Sequence, residues 1–368
     1  MKSLRMALQI CLAGMVAGAA LGQQAARMSQ PQIVNGQVET RAVATNLSNT
    51  VRQIEGEGAK ALWIAYGVEE IAGERSVCCG NYNNGENVGC GTCKLETEHG
   101  NTMSDRHSGG TMSLERGGQL VVLLRVADKH VMRIRMASND FTLDAGGVGV
   151  LWLTGVKGDE SVGLLANYVR PEEILRHGEH GLSEQALTAI AMHADAAADR
   201  AFVSFVAATQ PQGLREKASF WLGAARGEKG LVLLKHMAKS DPSADVRAQV
   251  SFALYVSPEP SAVDEMIRMA HDDESAHVRG QALFWLAQKA GKKAAGAITG
   301  AIDNDPDTEV KKKAVFALSQ MPKEEGVPKL IQVAQTNKNP EVRKQAMFWL
   351  GQSNDPRALE FFEKVLTQ

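Results

Sequence analysis

The 368-residue chain is poor in aromatic residues, which make up 5% of it, and it holds only five cysteines. It also lacks a basic excess, since 40 Lys and Arg stand against 42 Asp and Glu, a formal net charge of −2. Such a balance gives no general attraction for nucleic acid or for an anionic membrane surface. After the first segment, no apolar run approaches the ~20 residues that a membrane-spanning helix needs. The sequence therefore predicts neither a nucleic-acid partner nor a membrane span beyond that segment.

The one long apolar run stands at the start of the chain. Lys2 and Arg5 precede an Ala- and Gly-rich stretch at residues 6–21, which small residues follow. This is the layout of a secretory signal peptide, and the alternative is an uncleaved membrane anchor. We expect residues 1–22 to be a cleaved signal peptide, so that 38 basic and 42 acidic residues remain. The mature protein is then expected to be periplasmic or secreted.

Residues 23–170 predict an α+β domain rich in strands. Apolar residues at helical spacing predict a short helix over 46–55, and the apolar run at 60–68 predicts a buried strand. Two β-rich runs joined by a polar connection predict a hairpin over 119–138. Its second run carries Arg133 and Arg135, which we expect on the solvent face.

A turn is predicted further along the same domain, where Asp144 precedes Gly146 and Gly147. The glycines indicate a tight turn with positive φ or a close backbone approach. Asp144 is also a candidate catalytic acid, but the sequence offers it no partner. The turn is therefore the prediction, and the catalytic residues remain unknown.

Four cysteines lie in one segment of this domain: Cys78, Cys79, Cys90 and Cys93. An even number in an exported protein favours disulfides. Folding about residues 85–86 would oppose Cys78 to Cys93 and Cys79 to Cys90, so we predict these nested bridges among the three possible pairings. A zinc site with the four thiolates is the alternative, although adjacent cysteines rarely bind one metal together. Reactive thiols are a third, and no other cofactor is predicted.

The second half of the chain is organised by a pattern that recurs at a constant 32-residue interval. Its five copies begin at Leu214, Val246, Val278, Val310 and Val342. A fixed spacing of this kind is typical of stacked helical hairpins rather than of a single globular core. We predict an all-α solenoid over residues 214–368. Linking helices and a degenerate first repeat are predicted before it, over residues 171–213.

The first helix of each unit has two apolar sides. Aliphatic, Ala and Leu columns share one stripe, and a Phe column lies on another side. That column is Phe220, Phe252, Phe284, Phe316 and Phe348. One residue later, Trp221, Trp285 and Trp349 alternate with Ala253 and Ala317. Exposed tryptophans would suggest ligand binding, but their place beside the buried stripe predicts that they pack in the core.

The pattern D-P-x-x-x-V-R-x-x-A-x-x-x-L resembles that of HEAT repeats, in particular the short bacterial form named after phycobilisome lyases. In that family an Asp and an Arg six residues apart form a ladder of charge-assisted hydrogen bonds between successive repeats. Asp241 with Arg247, and Asp273 with Arg279, match this pair.

The family pair is incomplete toward both ends of the array. Asp305 is followed by Lys311, which cannot form a bidentate hydrogen bond, and Asn337 replaces the acid before Arg343. Thr209 replaces it before Arg215. We therefore expect a continuous ladder only in the middle.

Two classes of function follow. The solenoid implies a scaffold that holds another protein, of unknown identity, along its successive second helices, here in the cell envelope. The resemblance to lyase-type repeats also permits a lyase or other enzyme, or a ligand- or metal-binding activity, in the N-terminal domain. Because the chain lacks G-x-S-x-G, H-E-x-x-H, P-loop and dinucleotide motifs, we predict the scaffold.

Overall fold

The computed structural model describes residues 28–58, 61–72, 75–78, 81–84, 92–97, 118–174, 181–289 and 291–367. A region with strands comes first and a long run of helices follows it. The predicted α+β class is therefore confirmed. The signal peptide predicted over residues 1–22 lies outside the described residues.

The strands all lie in the first region. They are β1 (Ile33–Val34), β2 (Val38–Ala42), β3 (Leu62–Glu69), β4 (Arg75–Cys78), β5 (Asn81–Asn84), β6 (Cys93–Lys94), β7 (Gln119–Ala127), β8 (His130–Ser138), β9 (Leu143–Asp144) and β10 (Gly149–Thr154). The helices that accompany them are α1 (Leu47–Gly56), α2 (Gly158–Ala166) and α3 (Pro171–Ile174).

The central sheet has the order β2-β10-β3-β7-β8. β2, β10 and β3 run parallel, and β7 and β8 continue the sheet antiparallel. The predicted hairpin is confirmed as β7 and β8, and Asp128 and Lys129 close it with φ of 50° and 65°. Two successive residues at positive φ are typical of the tight turn whose twist matches that of paired strands.

Both faces of this sheet are buried, as the continuous apolar runs of its strands require. Helices α1 and α2, together with the later helix at Leu182–Met192, cover one face. A separate core lies on the other face of the sheet and includes Trp63, Leu123 and Trp152. The small sheet β1-β9-β6 contributes Cys93 and Leu143 to this core.

The expectation of a solvent face at Arg133 and Arg135 is wrong for Arg135. Its side chain is buried, and its guanidinium donates to the carbonyl of Thr97. Arg133 donates to the same carbonyl at 3.4 Å. The segment after β6 covers this end of the sheet, which alternation along one strand does not reveal. Burial lowers the pKa of Arg135 to about 10.

The turn expected at residues 85–86 lies outside the described residues, and two strands precede it. β4 pairs antiparallel with β5 so that Cys78 opposes Asn81. In this register the sheet partner of Cys78 is a residue other than Cys93, and the predicted disulfide stays a prediction.

The turn predicted after Asp144 is confirmed. Gly146 and Gly147 have φ of 60° and 87°, in the left-handed region that glycine tolerates best. The Asp144 carboxylate accepts a hydrogen bond from the Gly146 N–H at 2.9 Å. This carboxylate therefore holds a turn.

Six helical hairpins follow within the described residues. They pair α4 (Leu182–Met192) with α5 (Ala196–Phe205), α6 (Gln212–Ala225) with α7 (Gly227–Ser240), α8 (Ala244–Val256) with α9 (Ala262–Asp272), α10 (Ala276–Lys289) with α11 (Gly291–Asn304), α12 (Thr308–Gln320) with α13 (Lys323–Thr336), and α14 (Pro340–Gln352) with α15 (Pro356–Leu366). Helix α4 packs against β8 and α2. One apolar core accordingly runs from Tyr66 in the sheet to Leu350 in the last hairpin.

Candidate functional site: an aromatic row on the helical array

The inter-repeat ladder fixes how successive first helices are placed. Arg247 donates to the Asp273 carboxylate from Nε at 2.9 Å and from Nη2 at 3.0 Å. Its Nη1 donates to the main-chain carbonyl of Asp241 at 2.9 Å. Arg279 repeats the arrangement with Asp305 and with the carbonyl of Asp273. An arginine therefore binds the carboxylate of the next repeat and the carbonyl that precedes its own helix.

The ladder is longer toward its start than the sequence suggested. Arg215, whose preceding acid is replaced by Thr209, donates two hydrogen bonds to the Asp241 carboxylate at 2.8 and 3.0 Å. At the other end, within the part of the chain that the structure describes, Arg343 donates only to carbonyls, Asn337 O at 2.8 Å and Lys338 O at 3.1 Å. The regular spacing that results brings one column of side chains into contact along the array.

This column and its neighbours form what we call the aromatic row. It consists of Phe220, Trp221, Phe252, Tyr255, Phe284, Trp285, Phe316, Phe348 and Trp349. Each ring centroid lies within 6.2 Å of the next along five successive hairpins. Every ring is partly exposed, and Phe348 is 54% exposed. The row is therefore a continuous apolar strip at the protein surface.

The type of ring contact within the row changes from hairpin to hairpin, because tryptophan and alanine alternate in the neighbouring column. Phe284 stacks on Phe316 at 5.9 Å, whereas Phe316 meets Trp349 at 4.9 Å. The alanines of the column, Ala253 and Ala317, are fully buried. The tryptophans are only half-buried at the edge of the core. Core packing accordingly describes the alanines, and the tryptophans contribute to both the core edge and the surface.

Charge is distributed unequally beside the aromatic row. One helical turn before the phenylalanines lie the exposed lysines Lys217, Lys313 and Lys344. One turn after them, the exposed residues are Gln288, Gln320 and Gln352. Residues three or four apart share a helix face, so these two sets border the row. The row thus has a lysine on one side in three of its five hairpins, of which Lys217 is paired with Glu184 at 2.7 Å, and exposed glutamines on the other side in three.

A smaller apolar groove lies between the second helices α5 and α7. Its volume is about 270 Å³, and its lining includes Val203, Leu222 and Val232. Val203 and Val232 are exposed. The groove spans only two neighbouring hairpins, whereas the aromatic row spans five.

Ser161 and His193 form a contact that resembles part of a catalytic arrangement. Ser161 Oγ lies 2.8 Å from His193 Nε2 and donates to the Tyr66 hydroxyl at 3.0 Å. All three side chains are fully buried, and burial lowers the pKa of His193 to about 4. A nucleophile needs access to its substrate, so this cluster joins β3, α2 and α4 and is not a catalytic site.

The cysteine segment is described only in part. Cys93 is buried and takes part in a disulfide. The side chains of Cys78, Cys79 and Cys90 lie outside what the structure describes, and the predicted pairing stays a prediction. Over the described ranges, no three His, Cys, Asp or Glu side chains gather as metal ligands. Nor does any helix there combine the length and apolar character needed to cross a membrane.

Sequence reasoning identified the Phe and Trp columns but not the strip that they form together. The signal that could have revealed the strip was the 32-residue spacing that the adjacent Phe and Trp columns share. Tyr255, three residues after Phe252, adds a ring where the Trp column has an alanine. Arg215 and Asp305 were missed as ladder partners because the family pair was sought within one repeat rather than across two.

Comparison with known proteins supports the repeat architecture. A family model described as HEAT repeats matches residues 297–368. No curated protein matches the chain. Human deoxyhypusine hydroxylase in complex with glycerol is similar over 56% of this chain and 90% of its own, with 19% identity and a TM-score of 0.24. A chain from the structure of Kap95p with RanGDP is similar over 56% of this chain and 31% of its own, with 16% identity and a TM-score of 0.33. At these values neither likeness bears on function.

Proposed function

We propose that the chain is a HEAT-repeat protein, as the family match at residues 297–368 supports, and that its array is a scaffold that binds another protein along the aromatic row. The observation that carries the proposal is the continuous contact of partly exposed rings across five hairpins. Aromatic side chains supply much of the binding energy in protein interfaces, because they bury a large area with few rotatable bonds. The ladder holds the hairpins in register, so the row is positioned before a partner arrives.

The border of the row determines the partner's chemistry. Lys313 and Lys344 are exposed, and neither forms an ion pair with another residue that the structure describes. A segment with apolar side chains for the rings and acidic residues for these lysines fits both features. The proposed partner is therefore a protein that presents an acidic, apolar segment.

The proposal extends to where the protein acts. Lys2, Arg5 and the apolar run at 6–21 support export to the periplasm or the medium. Intact-mass measurement of the protein from its own cells tests this point. Cleavage after residue 22 and recovery outside the cytoplasm are the expected results. An uncleaved protein in the cytoplasm would contradict export, which is a separate question from binding along the aromatic row.

Photo-crosslinking tests the binding surface directly. A benzoylphenylalanine placed at Phe348, in the cells that produce the protein, is expected to give a crosslink to one defined partner. The matched control places it at Val232, which is 62% exposed on a second helix and lies outside the row. With the crosslinked protein purified, Phe348→Glu should weaken its binding at least about tenfold, and Val232→Glu less than about twofold.

Two outcomes would contradict the proposal. One is an equal crosslink from both positions, because contact would then not be specific to the row. The other is unchanged affinity in Phe348→Glu, provided that circular dichroism shows an intact helical fold. Binding lost only in Val232→Glu would move the site to the second helices.

A further inference from the structure

A recurrent slot for a positive charge lies at the C-terminal ends of alternate first helices. Carbonyl groups at a helix end have no partner within the helix and carry partial negative charge. In the middle of the array, Lys289 Nζ donates to Leu254 O at 3.1 Å and Tyr255 O at 2.7 Å, and also to Ser257 O. These carbonyls end α8, and the lysine that caps them comes from α10.

The same slot occurs two repeats earlier, at the end of α4. There Arg226 Nη1 donates to Ala191 O at 3.1 Å and to His193 O at 2.6 Å. Ala191 and His193 stand two repeats before Tyr255 and Ser257 and correspond to them. Arg226 is also paired with Asp199. Two copies of the slot therefore hold a cationic side chain of the chain itself.

The third copy, two repeats after the middle one, has no described cationic side chain bonded to its carbonyls. Its carbonyls belong to Ser319 and Met321, and among the described residues no group donates to either. At the position of Lys289 stands Ser353, whose hydroxyl donates to Leu350 O at 2.7 Å. A pocket of about 210 Å³ occupies the place, and residues 318–321 form part of its wall. That volume exceeds several-fold the roughly 30 Å³ of a water molecule in the liquid.

The indole of Trp349 is the second polar feature of this pocket. It lines the pocket, and its Nε1–H is buried without an acceptor in the described structure. A buried donor of this kind is costly unless a partner is supplied. The pocket thus offers carbonyl acceptors for a cation, and its wall contains one N–H donor without an acceptor among the described residues. A basic residue within a polypeptide carries both groups, a charged tip and a main-chain carbonyl.

We propose that the pocket at the C-terminal end of α12 receives a lysine or arginine side chain from a partner polypeptide. Val327 stands where the first copy has Asp199. The positive charge of the partner's side chain would therefore be held by carbonyls alone, as the ammonium of Lys289 is. Lys323 also lines the pocket and opposes a cation, whereas Glu259 occupies its place in the middle copy. This inference depends on the proposed scaffold function in one respect, namely that a partner polypeptide supplies the basic residue.

The full-length protein labelled with ¹⁵N-tryptophan provides the test, because Trp349 reports from the pocket wall. The probe is Nα-acetyl-lysine methylamide, and Nα-acetyl-norleucine methylamide is its uncharged match. The lysine probe should shift the Trp349 indole resonance saturably with a Kd of about 1–50 mM, and the norleucine probe should not. n-Butylammonium, which lacks the carbonyl, should bind more weakly. Trp349→Phe assigns the resonance.

Three variants sharpen the result. Ser353→Lys fills the pocket as Lys289 fills the middle slot, and should abolish the response. Lys323→Glu should tighten binding about fivefold, because it replaces repulsion with attraction. Lys289→Ala empties the middle slot, so that the Trp285 indole should then respond to the probe as well.

Several results would overturn the proposal. They are an absent response in the unaltered protein, an equal response to norleucine, and an undiminished response in folded Ser353→Lys. Equal affinity for n-butylammonium would overturn the polypeptide as the source of the cation. Because no partner protein enters this experiment, its failure is distinguishable from failure of the aromatic row in crosslinking.

Discussion

Arg247 and Asp273 are joined by two parallel hydrogen bonds, 2.9 Å from Nε and 3.0 Å from Nη2. Both side chains are buried, and they belong to successive repeats. The third guanidinium nitrogen holds the carbonyl of Asp241 at 2.9 Å. One arginine therefore fixes two inter-repeat loops at once. Its geometry, rather than its charge alone, sets the spacing on which the aromatic row depends.

Replacing Arg247 with lysine should destabilise the protein markedly. An ammonium cannot reproduce the planar two-pronged contact, and the buried Asp273 carboxylate would be left under-paired. We expect a loss of about 2–4 kcal/mol in the free energy of unfolding, measured by urea denaturation. Arg343→Lys is the matched control, because Arg343 meets only carbonyls. Equal losses in the two variants would show that the carboxylate contact adds nothing.

Gly223 and Gly296 should respond in opposite directions to alanine. A Cβ at Gly223 would lie 2.0 Å from the carbonyl oxygen of Ala253, so α6 and α8 would have to move apart. Overpacking of this kind costs roughly 1–3 kcal/mol or more. Among the described residues, no atom outside its own helix lies within 4 Å of a Cβ at Gly296, and Gly296→Ala should stabilise α11 by about 0.5–1 kcal/mol. Thermal unfolding of both variants decides the matter, and a tolerated Gly223→Ala would refute the close approach.

Glu70→Gln should make stability less sensitive to pH. Burial raises the pKa of Glu70 from 4.5 to about 7, with Ser138 as its hydrogen-bond donor. Since the folded-state pKa lies above the unfolded one, the contribution of Glu70 is present below pH 4.5 and is lost as pH rises toward about 7.

The neutral glutamine lacks this loss. We therefore compare the free energy of unfolding of Glu70→Gln with that of the unaltered protein at each pH. The difference should favour the variant more at pH 8 than at pH 4, by up to about 3 kcal/mol. Burial lowers the pKa of His193 to about 4 and gives the opposite slope, but that contribution is shared and cancels in the difference. Urea denaturation at the two pH values measures it. A difference independent of pH would mean that Glu70 titrates normally.

The cysteine segment yields a prediction by mass spectrometry. Digestion without reduction should release peptides that link Cys78 to Cys93 and Cys79 to Cys90. The even count supports bridging, and Cys93 is already bonded in the structure. Reduction followed by alkylation of all four thiols is the control. Stoichiometric zinc together with four free thiols would refute both bridges.

The sequence by itself determined the repeat. A constant period and apolar columns at helical spacing require stacked helical hairpins, because each helix must bury two sides. The turn at Asp144 and the β7–β8 hairpin were likewise predicted from residues that are close together in the sequence. Such features depend on residues a few positions apart, whose relation is fixed by the geometry of one helix, strand or turn.

Only the tertiary structure decided which of these residues meet and which stay exposed. It paired Arg247 with an acid of the following repeat, buried Arg135 beneath a distant segment and left the tryptophan rings half-buried at the edge of the core. It also showed that Lys289 donates to helix-end carbonyls whose later copies, Ser319 O and Met321 O, receive no hydrogen bond from any described cation. Exposure and partnership depend on what another element places nearby. Periodicity within one helix determines the direction of a side chain but not what covers it.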